Sequence, residues 1–394
     1  MISKIKLENF KCFASLICEL GKATVLAGLN GSGKSSLIQA LLCTRGVADR
    51  VFRDEPPQID IGGGPIDMGN VRDLAYRFRR ADRLSCELES DADGCFGWSF
   101  DYRMEDAELN VVPVDVLDGQ KPLAKKTAAM RYLSANRKAP ASSHRFSESD
   151  ARKGNLGDQG EHVASCLAVN GGRVVDPAFV ITDRRASEEN YDTLLEQTNV
   201  WLRKFSPTAY VMAKKSADGL RVDLRFGFGD RKPESAYRPE NVGVGLSIAL
   251  PLIVMLLSAK AGDVLLIENP EADLHPKGQA YVAELIARAT RAGVQVIVET
   301  HSDHIINGLR VAVKKGLCSV PDVKLLFFKR QTNCPLENGP IGWQVSTAEE
   351  ITIGPQGDLS NFPKDLLEQW MIHSDELMTI EAELDESDES STES

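Results

Sequence analysis

Gly28-Leu29-Asn30-Gly31-Ser32-Gly33-Lys34-Ser35 satisfies the G-x-x-x-x-G-K-[S/T] spacing of a phosphate-binding loop at every fixed position. Its glycines let the backbone turn so that successive N–H groups converge on phosphate oxygens at the start of a helix, where the helix dipole also favours an anion. Lys34 then brings a point charge to the outer phosphates, the Ser35 hydroxyl is suited to Mg²⁺, and Asn30, Gly31, Ser32, Gly33 and Ser36 complete the cradle. The context agrees, because residues 23–27 read as a buried strand and residues 36–42 as the first turns of a helix. A nucleoside triphosphate and Mg²⁺ are the ligands this loop predicts.

A second block of candidate residues lies about 200 residues further on. Val264-Leu265-Leu266-Ile267 is an apolar strand that delivers a carboxylate, Glu268, of the kind that helps hold Mg²⁺ beside a phosphate loop. Asn269 follows it, and an amide cannot take a proton from water. Two readings stay open: Glu271 acts as general base, or water is only positioned and turnover is slow. His301 lies between Thr300 and Ser302 after the strand at residues 294–298, a context that singles it out, whereas His275 and His304 read as helix caps. Asn241, Gly243, Gly245 and Ser247 sit at the start of an apolar helix ending at Leu257, where glycines and a polar group suit an anion. Whether Asn241 or Ser247 supplies that group is open.

The elements that must position these residues follow from pattern. The N-terminal strands and the segments 83–89 and 96–102 around Asp91-Ala92-Asp93-Gly94 read as an antiparallel meander, and residues 72–80 as a short basic helix. Residues 188–205 have helical spacing and residues 210–226 that of a hairpin. From Val264 strands and helices alternate (264–267, 278–292, 294–298, 303–315, 324–328), which predicts a parallel core that the phosphate-loop strand joins non-locally. No heptad run is sustained between the two blocks, so a long coiled coil is excluded.

These motifs, with Glu8-Asn9-Phe10-Lys11, Tyr132-Leu133-Ser134-Ala135-Asn136-Arg137 and Asn361-Phe362-Pro363, resemble the bacterial stand-alone AAA-type ATPases of the ABC/SMC/OLD/RecF-like class. In that class Glu268-Asn269-Pro270-Glu271 matches a D-E-P-E signature, so this chain departs at Glu268, where Asp is usual, and at Asn269, where the catalytic Glu is usual. The resemblance implies an α/β fold, an ABC-ATPase-like head (P-loop NTPase) with a mixed sheet, an antiparallel β subdomain and a helical lobe. Its implied division is 1–140 for the first half of the nucleotide-binding lobe, 141–260 for the helical lobe, 261–330 for the second half, 331–373 for a hairpin and short helix, and 374–394 for a disordered acidic tail. It also implies that His301 senses the outer phosphate, that the Asn241–Ser247 segment meets the triphosphate of another copy, and that a homodimer or higher homo-oligomer closes around composite ATP sites. Other implied properties are a separate effector such as a nuclease or toxin, and a role in anti-phage defence or DNA maintenance. A DNA-binding RecF-like repair ATPase is the alternative.

Composition bounds the rest. Of a net charge of −11, nine acids lie after His373 in a segment without Lys or Arg, so the preceding body stands at −2 and its overall charge argues neither for nor against nucleic acid. Two basic groups still offer a route to DNA phosphates: Arg72, Arg77, Arg79, Arg80 and Arg83 with Tyr76 and Phe78, and Lys121, Lys125, Lys126, Arg131, Arg137 and Lys138. Eight cysteines without a C-x-x-C pair predict free thiols and no zinc, no apolar run is long enough to span a bilayer, and no secretory pattern opens the chain, so a cytoplasmic location is expected.

Overall fold

The computed structural model describes residues 1–367 apart from 63–66, 79–80, 118–120, 139–140, 184–190, 230–234, 333–343 and 365. The expected acidic tail, the helix toward Met371, Arg79, Arg80 and Cys334 lie outside the described residues.

Strands β1 (Lys4–Phe10) and β2 (Phe13–Glu19) make a hairpin, and β3 (Ala23–Gly28) runs into the phosphate loop and α1 (Lys34–Phe52). Next come β4 (Gln58–Asp60), α2 (Val71–Leu74), the pair β5 (Arg83–Ser90) and β6 (Gly94–Asp101), then β7 (Val111–Pro113), β8 (Asp115–Leu117), α3 (Lys121–Ala128) and β9 (Arg131–Leu133). A middle stretch holds β10 (Ser143–Arg145), α4 (Glu148–Lys153), α5 (Val163–Asn170), α6 (Leu194–Phe205), β11 (Ala209–Lys215), β12 (Arg221–Phe228) and α7 (Val244–Leu257). Then β13 (Val264–Glu268), α8 (Pro276–Arg291), β14 (Gln295–Glu299) and α9 (Asp303–Lys314) alternate before a last hairpin, β15 (Val323–Thr332) and β16 (Gln344–Thr352).

The central sheet has the order β16-β15-β3-β14-β13-β9, in which β3 runs parallel to both β14 and β15. The phosphate-loop strand thus sits inside strands that lie some 270 residues later, which is the non-local assembly that the alternating pattern predicts. Residues on these strands divide by parity between two cores. Val25, Leu265, Val298 and Phe327 pack toward the helical side, and Leu26, Leu266, Ile297 and Phe328 toward the second sheet, whose order is β2-β1-β5-β6-β8. A strand buried on both faces reads as an unbroken apolar run. Each buried Leu, Ile or Val contributes about 1.5–3 kcal/mol, so the two cores together fix the plane from which the site residues project.

The middle stretch carries four helices and a three-stranded sheet, β10-β12-β11, so the lobe expected to be helical is mixed. The basic helix expected over 72–80 shrinks to α2, because Ala75 is extended and bridges Phe10. The helix expected from 188 begins at Leu194, after an extended Thr193. Helix α8 starts at Pro276, a residue whose missing N–H costs nothing at a first helical position.

Candidate nucleotide site

The phosphate loop is built at the C-terminal end of β3, where close approach makes glycine obligatory. A Cβ on Gly28, which has φ +134°, would lie 2.3 Å from the Phe328 carbonyl oxygen on β15. One on Gly33, at φ +112°, would lie 2.8 Å from both Cys12 Sγ and the Phe13 ring. Only glycine meets both demands at these positions. Gly33 opens α1, and Lys34 is buried in its first turn, its Nζ donating to the carbonyls of Gly28 at 2.7 Å and Leu29 at 2.9 Å. Burial lowers the Lys34 pKa, and the nearby Glu299 and Glu271 carboxylates oppose that shift.

A cleft of about 210 Å³ opens in front of the loop. Asn30, Gly31, Gly33, Lys34, Ser35 and Ser36 line it, together with Glu299, His301, Cys12 and Arg330. Three of these were not singled out from sequence. Cys12 comes from the β1–β2 turn, and Arg330 from β15 with its guanidinium against Gly31. Glu299, the last residue of β14, accepts a hydrogen bond from Ser35 Oγ at 2.8 Å. The signal for Glu299 was its place directly before Thr300-His301-Ser302, at the end of an apolar strand, the same logic that marked Glu268. Desolvation raises the Glu299 pKa, the Ser35 hydrogen bond opposes this, and Glu268, its register partner on β13, adds to it.

The block after β13 is organised by buried groups. Arg137, 8 % exposed, donates to the carbonyl oxygens of Glu268 at 2.9 Å and Asn269 at 2.6 Å. Glu268 Oε2 accepts from the Ala135 N–H at 3.2 Å. Asn269 adopts φ +40°, a region that Asn tolerates better than most residues. Glu271 receives two donors, the Thr300 hydroxyl at 2.8 Å and the His301 N–H at 2.7 Å. Both of its oxygens are therefore engaged in holding the loop that carries His301. Burial and the neighbouring Lys34 lower the His301 pKa and so favour the neutral imidazole, against the pull of Glu271. His275 caps α8 through Nδ1, which accepts from the Lys277 N–H at 3.2 Å, and Ser302 caps α9.

The glycine-rich segment before α7 separates its two candidates. Asn241 lies exposed, whereas Ser247 is 1 % exposed and its hydroxyl faces the core. Ser247 is thus turned away from any neighbouring molecule in this conformation. Gly243 is exposed, and the Gly245 backbone packs against Asp273 of the loop after β13. None of residues 241–247 lines the cleft in front of Lys34.

Part of the two basic groups is engaged within the fold. Arg137 is buried, and half-buried Arg131 donates to Ser258 Oγ at 2.9 Å. Lys126 pairs with Asp93, Arg72 with Glu108 and Arg83 with Asp101. Arg137 is therefore unavailable to DNA phosphates. Among the described residues no helix is long and apolar enough to cross a membrane.

Two segments match known domain models: residues 1–55 match "AAA ATPase domain", and residues 209–307 match "AAA domain, putative AbiEii toxin, Type IV TA system". A curated relative, the OLD nuclease of Thermus scotoductus, is 24 % identical over 331 residues, covering 77 % of this chain and 59 % of the relative, so the chain spans somewhat over half of that protein's length. Among solved structures, an SMC head bound to the C-winged helix domain of ScpA superposes with a TM-score of 0.52 at 13 % identity, covering 89 % of this chain and 98 % of that one. An SMC head with an extended coiled coil, bound to the C-terminal domain of ScpA derived from Pyrococcus furiosus, gives 0.51 at 13 % identity, covering 96 % and 99 %. The likeness to the SMC heads is one of fold: an α/β P-loop head with a mixed sheet, an antiparallel sheet and helices.

Proposed function

We propose that this chain, an AAA-type P-loop ATPase head similar to the OLD and SMC proteins, binds ATP with Mg²⁺ and closes around it with a second copy of itself. The residues present suit such ligands: Gly28, Gly31 and Gly33 at positive φ, a lysine that can exchange two carbonyls for phosphate oxygens, and a serine hydroxyl beside a carboxylate. Mg²⁺ would supply charge neutralisation of the outer phosphates. In this reading Lys34 binds, His301 senses the outer phosphate, Glu271 holds His301 in place, and Glu268 adds negative charge near the cation.

The observation that carries the dimer is the separation of the two half-sites. The cleft before Lys34 lacks any residue of the α7 tip, and that tip presents Asn241, Gly243 and the 52 % exposed Val244 at the surface. A glycine-flanked helix start that meets no phosphate in its own chain is suited to one held by another. Asn241 is the polar group this assigns to the neighbour's triphosphate.

Turnover is slow in this proposal, because Asn269 occupies the position after the strand carboxylate and both oxygens of Glu271 are already hydrogen-bonded. ATP then acts chiefly as a signal. The closed pair regulates an effector, a nuclease or toxin held by a separate protein, in anti-phage defence or DNA maintenance; the name of the OLD relative supports the nuclease. The test is the mass of the purified protein by light scattering, and its phosphate release, with ATP and Mg²⁺ beside Lys34→Ala. A doubled mass with slow release, both lost in Lys34→Ala, is expected. Fast release from a particle whose mass never changes would overturn the proposal.

A further inference from the structure

The cleft contains a carboxylate to which the preceding reading gives no task. Glu299 is 5 % exposed, and its Oε2 is buried without a hydrogen-bond partner while Oε1 accepts from Ser35 Oγ. Leaving a buried carboxylate oxygen unpaired is costly, and such atoms persist where a ligand compensates them. Its surroundings name the ligand's charge. Glu299 faces the same cleft as Ser35, and Glu268 stands opposite it in register at the ends of β14 and β13. Two carboxylates side by side with a hydroxyl form an all-oxygen donor set, which suits a hard divalent cation. By contrast, Glu268 Oε2 is already bonded to the Ala135 N–H.

The geometry points to Glu299, in place of the strand carboxylate Glu268, as the principal protein carboxylate of the Mg²⁺ site. Its Oε1 orients the Ser35 hydroxyl, and Oε2 receives the hydrated cation. The inference rests on the nucleotide site proposed above and names a metal-holding residue within it. It also accounts for a glutamate at the end of β14, one strand nearer the phosphate loop than β13.

The test measures binding, without reliance on turnover. Affinity of the full chain for a slowly hydrolysed ATP analogue is determined by calorimetry in EDTA and across a Mg²⁺ titration, for wild type, Glu299→Gln and Glu268→Gln. Wild type should bind more tightly with Mg²⁺. Glu299→Gln should bind the analogue in EDTA at least as well as wild type but lose about tenfold or more of the Mg²⁺ enhancement, as changes around metal ligands typically do. Glu268→Gln should lose less. Full Mg²⁺ enhancement in Glu299→Gln, with loss in Glu268→Gln, would overturn the inference while leaving the nucleotide site intact. Failure of wild type to bind in either condition would overturn the site itself. Glu299→Asp, which keeps the charge but retracts it, serves if the Gln variant does not fold: metal-free binding should persist and the Mg²⁺ enhancement fall.

Discussion

Glu271 Oε1 accepts the backbone N–H of His301 at 2.7 Å, across a separation of thirty residues. With the Thr300 hydroxyl on Oε2, the carboxylate clamps the loop that presents the imidazole to the phosphate cleft. The two roles open to Glu271 now make different predictions. A positioning residue acts through its acceptors, so Thr300→Ala, which removes one of its donors, should reproduce much of the Glu271→Gln defect. Loss of a hydrogen bond to a charged group costs about 1.5–3 kcal/mol. Phosphate release should therefore fall roughly tenfold or more in both variants, with affinity for ATP changed far less. A Thr300→Ala protein that turns over at the wild-type rate beside an inactive Glu271→Gln would return Glu271 to the role of base.

The thiols divide by environment, which gives a pH-dependent test of both core and cleft. Burial pushes the Cys43 and Cys86 thiols up to about 12, and Cys18 likewise. An unfolded thiol ionises near 8.5. The folded values lie above the unfolded one, so the stability these groups contribute is fully present below about pH 8.5 and is lost as pH rises toward 12. The slope is about 1.4 kcal/mol per pH unit for each thiol. Denaturation at pH 8 and pH 10 should show that loss. At pH 8 an alkylating reagent followed by peptide mass spectrometry should mark half-buried Cys12, and ATP with Mg²⁺ should slow the reaction because Cys12 lines the cleft. Cys43 and Cys86 should remain unmodified until the protein unfolds. Equal labelling of all three in the folded state would contradict the burial.

Asn269 shows how far sequence carries the site and where it stops. The residue type alone excluded a general base, and the strand before it was legible because four buried apolar residues leave little choice of element. Its backbone at φ +40° was not legible, nor was the hold that Arg137 has on its carbonyl from 132 positions away. Arg137 and Arg131 read as surface charge for the same reason: a linear pattern of bases carries no sign of the carbonyls and hydroxyls that will surround them. Glu299 was hidden by a stronger match beside it, since Thr300-His301-Ser302 drew attention to the histidine and away from the carboxylate. Where a motif is local, as in the phosphate loop, sequence placed Asn30, Gly31, Gly33, Lys34, Ser35 and Ser36 in one cleft, which Gly28, Leu29 and buried Ser32 do not line. Asn269→Glu tests what the amide does. It should raise phosphate release by about tenfold or more if the missing carboxylate limits turnover. Strain from a longer side chain at positive φ costs about 1–2 kcal/mol, visible as a lower urea midpoint. An unchanged rate would move the limit elsewhere, to closure or product release.

The Gly245 backbone packs against Asp273 of the loop after β13, and in the proposed dimer this joint would carry the presence of a neighbour's triphosphate toward Glu271. An added Cβ at Gly245 would lie 2.7 Å from the Asp273 carbonyl oxygen. Asp273 has little room to yield, since it holds φ +57° and Leu274, next to it, is buried with its N–H bonded to the Glu271 carbonyl. Gly245→Ala should therefore displace backbone, destabilising the fold by about 1–3 kcal/mol as overpacking does. Gly243, with nothing within 4 Å of its Cβ position, should tolerate alanine at a small cost. The pair separates fold from function: Gly243→Ala should leave the unfolding midpoint near wild type, and Gly245→Ala should lower both the midpoint and ATP-dependent assembly. Should Gly245→Ala unfold like wild type yet fail to assemble with ATP, the helix tip acts by direct contact with the neighbour, and the joint to Asp273 transmits nothing.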